Sequence, residues 1–85
     1  MMICFTQKAF EDYQHLENYE RKIYLRINEL LKEISRNPFK GTGKPEPLKH
    51  NLKGWWSRRI TDEHRLVYRI ENDSIIILYC RFHYD

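Results

Sequence analysis

The chain has little of what breaks a fold and little of what staples one. Its 85 residues include three glycines, three prolines and two cysteines. So little glycine and proline is far from the composition of a low-complexity or collagen-like chain. Cys4 and Cys80 lie at opposite ends, with no C-x-x-C and no paired His spacing, so a zinc site is excluded on ligand count. In a reducing compartment the two read as small buried hydrophobes rather than as a disulfide. No apolar run approaches the ~20 residues that span a bilayer; the longest, residues 75–80, ends at Arg81. The start, Met1 to Phe5, is too short for the apolar core of a secretion signal, and the expectation is a cytoplasmic protein. What is present suffices for one small core: 41% of residues are hydrophobic and 14% aromatic, beside 32% charged. One domain over residues 1–85 is expected.

Charge is unevenly placed. Residues 1–37 carry six Lys/Arg and six Asp/Glu, whereas residues 38–85 carry nine and six and hold the whole net charge of +3. Between residues 40 and 59, Lys40, Lys44, Lys49, Lys53, Arg58 and Arg59 face a single anion, Glu46. Such a local field suits a polyanion, and nucleic acid is the commonest one. A solvated loop is the plainer alternative.

The pattern along the chain divides it into residues 1–36, 37–54 and 55–85. Residues 2–5 have strand character, and Thr6 offers its hydroxyl as a helix N-cap. Ala9, Phe10, Tyr13 and Leu16 predict a short amphipathic helix over 7–17, with Asn18 as the break. Ile23, Ile27, Leu30, Leu31 and Ile34 make one stripe of a second helix over 19–36, with Glu29 and Glu33 on its outer side. Asn37-Pro38 stops it. Residues 37–54 read as a basic Pro/Gly loop, of a length that is usually functional or mobile. Residues 55–60, 64–71 and 75–84 read as strands of an antiparallel sheet. The predicted class is α+β, order β-α-α-β-β-β, with two N-terminal helices on one face of a small twisted antiparallel sheet.

Alternation then predicts faces. Leu66, Tyr68 and Ile70 share one side of the middle strand. Joining Ile76, Leu78 and Cys80 to them sets the pairs 70/76, 68/78 and 66/80 and requires a three-residue turn at 72–74. That register gathers Arg65, Arg69, Arg81 and His83 on the side away from the helices, an arrangement that suits an anion or a plain solvated face. Trp55 and Trp56 fall on opposite faces, one to pack and one to meet a partner.

Four motifs carry a resemblance over nearly the whole chain: NPFKGTGKPEPLKHNL at 37–52, WSRRI at 56–60, EHRLVY at 63–68 and CRFHY at 80–84. With them the sequence resembles the Txe/YoeB family of bacterial toxins, within the RelE/ParE superfamily. It departs at Trp55, where Phe is common, at Phe82, where Tyr is common, and in having Asp85 after the tyrosine. The resemblance implies a RelE-like microbial ribonuclease fold. It also implies a ribosome-dependent mRNA endonuclease that cuts the codon displayed in the decoding site and halts translation. The implied partners are the ribosome with its mRNA and a cognate antitoxin of YefM/Phd type with an acidic, partly disordered segment. The neutral helical half is left as a surface for that antitoxin or for a second copy in a homodimer. Carried over by position, the functional residues are Glu46, Lys49, Arg59, Arg65, His83 and Tyr84.

Those residue types fit the chemistry of RNA, whose 2′-hydroxyl is a built-in nucleophile. Glu46 is the candidate base, His83 the candidate acid, and Arg65 the fork for the phosphate in its strained state. Lys49 and Arg59 add positive charge, and Tyr84 orients the phosphate or stacks on a base. No cofactor or metal is called for. His50 and His64 read as structural or peripheral, and His15 as a helix-surface residue. A basic RNA- or ribosome-binding module without chemistry is the rival reading, since phosphate contact gives affinity regardless of catalysis. The acid–base pair argues against it, and against the gyrase-poisoning branch of the superfamily.

Overall fold

The computed structural model describes residues 1–82. In chain order it has strand β1 (Met2–Phe5), helix α1 (Gln7–Tyr19), helix α2 (Arg21–Arg36), the short strand β2 (Glu46–Pro47), a 3-10 turn (His50–Leu52), and strands β3 (Trp56–Arg59), β4 (Arg65–Glu71) and β5 (Ser74–Tyr79). All five strands form one sheet in the order β1-β5-β4-β3-β2. The sheet is mixed rather than antiparallel. β1 runs parallel to β5, while the other three pairings are antiparallel as expected. The parallel pair is a long-range closure that strand patterns alone do not announce. Among the described residues no helix is long and apolar enough to cross a membrane.

The helices form where the apolar spacing places them. Thr6 caps α1, its Oγ1 accepting from the Ala9 amide at 3.1 Å and donating to the Leu78 carbonyl at 3.2 Å. Such a cap contributes about 1 kcal/mol, and here it also ties the helix to β5. α1 runs through Asn18 to Tyr19, and the break falls at Glu20, whose amide still donates to the Leu16 carbonyl. In α2, Ile27, Leu30, Leu31 and Ile34 are buried, the predicted stripe. A 16-residue helix is marginal alone, so its stability rests on that burial, about 1.5–3 kcal/mol per large aliphatic side chain. The core joins this stripe to Ala9 and Leu16 of α1 and to Leu66, Tyr68, Ile75, Ile77 and Cys80 of the sheet end of the chain. Both cysteines are free, and burial pushes the Cys80 thiol up to about 12.

The β4–β5 register corrects the predicted one. Ile70 pairs with Ile75, Arg69 with Ile76 and Tyr68 with Ile77, so Ile75 and Ile77 face the core, not Ile76 and Leu78. The turn is correspondingly tighter, with Glu71 opposite Ser74 and Asn72 at φ 55, a left-handed conformation that Asn tolerates. A bulge then resets the pairing. Val67 lies opposite Tyr79, leaving Leu78 as the extra residue. Beyond the bulge the predicted register is restored, and Cys80 is buried in the core as expected. β5 ends at Tyr79 rather than running to 84.

Residues 37–43 are not a free loop. Arg58 is fully buried and is no part of the solvent-facing field that its position in the sequence suggests. Its guanidinium reaches Glu33 Oε1 at 3.2 Å and the carbonyls of Thr42 at 3.1 Å and Lys40 at 2.8 Å, together with that of Asn37. Its Nε donates to the Tyr68 hydroxyl, which donates in turn to the Pro38 carbonyl at 2.6 Å. Glu33, expected on the outer side of its helix, completes the clamp by accepting from the Thr42 amide. A Cβ at Gly41, where φ is +116, would sit 1.8 Å from Glu33 Oε1, so only glycine fits there.

The Thr42 amide and the neighbouring Arg58 hold the Glu33 carboxyl below its ordinary value of 4.5. A lowered folded-state pKa contributes stability that is present above the ordinary carboxylate range and is lost as pH falls through it. Urea midpoints measured from about pH 7 to about pH 3 should therefore fall more steeply for the wild type than for Glu33→Gln. Parallel curves would show that the clamp does not depend on the charge of Glu33.

Candidate functional site

The strand order assembles the candidate residues from separated stretches of chain. β2 places Glu46 opposite Ser57 of β3, and β3 places Arg59 directly opposite Arg65 of β4. Residues paired across strands share a face, as do residues two apart in one strand. Glu46, Ser57, Arg59, Val67 and Arg65 therefore lie on the face away from the helices, as predicted for Arg65. Ser57 and Val67 are buried and form the floor, while Glu46 and Arg59 are exposed and Arg65 half-buried at the rim. Two strand spacings and one repeat along the strand put the Cα atoms of Glu46 and Arg65 about 12 Å apart. That is a span which a Glu and an Arg side chain close from opposite sides of one ribose phosphate.

Each rim residue is fixed locally. β2 exists because the chain after Gly43 is stitched to β3. The Arg59 amide donates to the Gly43 carbonyl at 2.7 Å, and the Leu48 amide to the Trp55 carbonyl at 2.9 Å. Proline on both sides of Glu46 is tolerated because β2 is an edge strand. Leu48 is buried, which anchors Lys49, exposed at the start of the 3-10 turn. Arg65 Nη1 donates to the carbonyls of Thr61 at 2.7 Å, Asp62 at 3.2 Å and His64 at 3.1 Å. Those three contacts set the plane of the guanidinium before any substrate arrives. Two like charges directly opposite on neighbouring strands, as at Arg59 and Arg65, cost stability unless an anion neutralises them.

The other predicted cations part company. Arg69 stacks over the Trp55 ring at 4.6 Å and pairs with Glu71 at 2.7 Å, which occupies it on its own end of the face. Arg81 lies over the Phe82 ring at 4.5 Å, and its charge is felt by Lys8 of α1. Trp56 packs on the core beside Phe39, the division of the two tryptophans that alternation predicts. His83, Tyr84 and Asp85 lie outside the described residues. Among the described residues no three His, Cys, Asp or Glu side chains are grouped to hold a metal ion.

One residue read as peripheral is central to the local architecture. His64 is buried, and its Nδ1 accepts from the Phe82 amide at 2.7 Å. Its neighbour Arg65 donates its own amide to the Phe82 carbonyl at 3.0 Å.

Known proteins match the chain closely. The family model for the YoeB-like toxin of bacterial type II toxin–antitoxin systems matches residues 5–84. Toxin YoeB of Escherichia coli K12 is 51% identical over 84 residues, covering 99% of this chain and 100% of that protein. The solved YoeB/ParE toxin from Agrobacterium tumefaciens superposes with a TM-score of 0.96 at 42% identity, covering 99% of this chain and 100% of that one. The Staphylococcus aureus toxin, 49% identical and covering 99% of this chain and 98% of its own, was solved in a heterotetrameric YoeB–YefM complex (TM-score 0.92) and as a dimer (TM-score 0.93).

Proposed function

This chain belongs to the YoeB-like family of toxins of bacterial type II toxin–antitoxin systems, and we propose that it acts as a ribosome-dependent mRNA endonuclease. The observation that carries the reading is the placement of Glu46, Arg59 and Arg65 on one sheet face, with the two arginines as cross-strand neighbours. A surface built only for affinity has no use for a lone carboxylate among its cations.

The chemistry follows from RNA itself. Glu46 takes the proton of the 2′-hydroxyl, and the oxygen attacks the adjacent phosphorus. The bond from phosphorus to the 5′-oxygen breaks, and His83 donates a proton to that leaving oxygen. The products are a 2′,3′-cyclic phosphate and a 5′-hydroxyl, with no metal needed for balance. Arg65 stabilises the extra negative charge on phosphorus as it develops. Lys49 and Arg59 hold neighbouring phosphates, and Tyr84 orients the phosphate or stacks on a base.

The partners follow the same charge logic. mRNA in the ribosomal decoding site meets the cationic face, and an antitoxin of YefM type with an acidic, partly disordered segment silences it by covering that face. A dimer like that of the S. aureus toxin leaves the face available if it forms elsewhere on the surface. The place of action is the cytoplasm, where ribosomes are.

Cleavage on programmed ribosomes, mapped by primer extension with free mRNA in parallel, tests the reading. Wild type is expected to cut at the decoding site and to leave free mRNA intact. Glu46→Ala and His83→Ala should each lose ~100-fold or more in single-turnover rate. Wild type that binds ribosomes without cutting would replace this account with the binding module.

A further inference from the structure

We propose that His64 is a positioning residue that aims His83, acting through the backbone of Phe82; the inference rests on the nuclease reading above. Phe82 precedes His83 in the chain, and both of its backbone polar groups are held by consecutive residues at the start of β4. Its amide donates to His64 Nδ1 at 2.7 Å, and its carbonyl accepts from the Arg65 amide at 3.0 Å. The residue sits at φ 61, a left-handed conformation that a non-glycine residue keeps only when its surroundings impose it. The rings of His64 and Phe82 also lie 5.5 Å apart. The strand register has ended by Tyr79, so these contacts replace ladder hydrogen bonds in fixing where the chain leaves the sheet.

The imidazole is itself held. An Nδ1 that accepts must be unprotonated, which places the ring proton on Nε2, 3.4 Å from Glu63 Oε1. The His64 carbonyl accepts from the Ile60 and Thr61 amides and from Arg65 Nη1, and the Thr61 hydroxyl accepts from the His64 amide at 3.0 Å. One turn, residues 60–65, thereby orients the Arg65 fork and the entry to His83 together. The relative placement of the phosphate-binding arginine and the candidate acid is thus set by a residue that touches neither substrate nor product.

The test compares wild type with His64→Leu, which removes the acceptor, and His64→Asn, whose Oδ1 restores an acceptor near the position of Nδ1. Two readouts are taken on each folded variant: hydrogen exchange at the Phe82 amide, and kcat against KM for cleavage on programmed ribosomes. The Leu variant is expected to lose protection at Phe82 and roughly 10- to 100-fold in kcat with KM unchanged, and the Asn variant to regain protection and most of the rate. A fully active Leu variant would overturn the proposal. So would an Asn variant that regains protection but not rate, or a Phe82 amide that stays protected without the acceptor. The exchange readout does not depend on cleavage. A wild type that cuts nothing sinks the nuclease reading and this catalytic role with it, whereas failure of the His64 variants to behave as stated, with wild type active, sinks the role alone.

Discussion

Replacing Arg58 with Leu is expected to destabilise the protein by about 3 kcal/mol or more, a large share of the ~5–15 kcal/mol that holds a small domain together. Buried ion pairs are often replaced by apolar residues at little cost, because both charges leave together. Arg58 is different, since most of its partners are backbone. The carbonyls of Asn37, Lys40 and Thr42 remain when the guanidinium goes, as does the Glu33 carboxylate. Asn37, Lys40 and Thr42 are themselves exposed, so their carbonyls can rehydrate by unwinding the 37–43 segment. That escape caps the loss and moves it into the site, because the same segment leads through Gly43 into β2 and Glu46. A fall of more than ~10 °C in Tm is the expected reading for a chain of this size. Arg58→Lys should recover less than half of it, since one ammonium cannot replace a planar fork directed at Tyr68, Glu33 and three carbonyls. A Leu variant within ~1 kcal/mol of wild type would show that the clamp is dispensable.

The same arginine shows what the sequence discloses and what it hides. Counting charges places Arg58 in a surface field. Alternation places it with Trp56 and Ile60, both of which pack inward, and that parity was a usable sign of burial. The helices were legible because their apolar stripes repeat, and Thr6 and Asn37-Pro38 mark their outer ends by local chemistry. The β4–β5 register was not legible. Ile75, Ile76, Ile77 and Leu78 are all apolar, so alternation has nothing to read, and a tight turn followed by a bulge ends in the same place as a wider turn without one. β2 escaped for a related reason: two residues flanked by prolines carry no strand pattern, and their pairing with β3 is made by the fold. Glu46 and Arg65 were found by motif resemblance, and their shared face follows only from strand order. His64 was misjudged because its role depends on Phe82, 18 positions away.

Arg65→Ala is expected to reduce single-turnover cleavage on the ribosome by ~100- to 1000-fold, the loss typical of removing a preorganised donor to a developing charge. The argument is geometric. Three carbonyls hold Nη1, so the guanidinium pays little ordering entropy when a phosphate arrives. Opposite it stands Arg59, which raises the local potential but is exposed, with no such carbonyl set holding it among the contacts described for Arg65. The two should therefore separate in kind. Arg59→Ala and Lys49→Ala should weaken binding, each lowering the salt dependence of affinity by about one ion, with the cleavage step itself nearly intact. Arg65→Ala should change the cleavage step far more than the binding. Arg65→Lys should fall between, keeping the charge but losing the bidentate fork. Single-turnover rates at saturating toxin, measured beside ribosome affinity at two salt concentrations, divide these effects. An Arg65→Ala variant that binds less tightly but cuts within ~10-fold of wild type would place Arg65 among the anchors and return transition-state stabilisation to another cation.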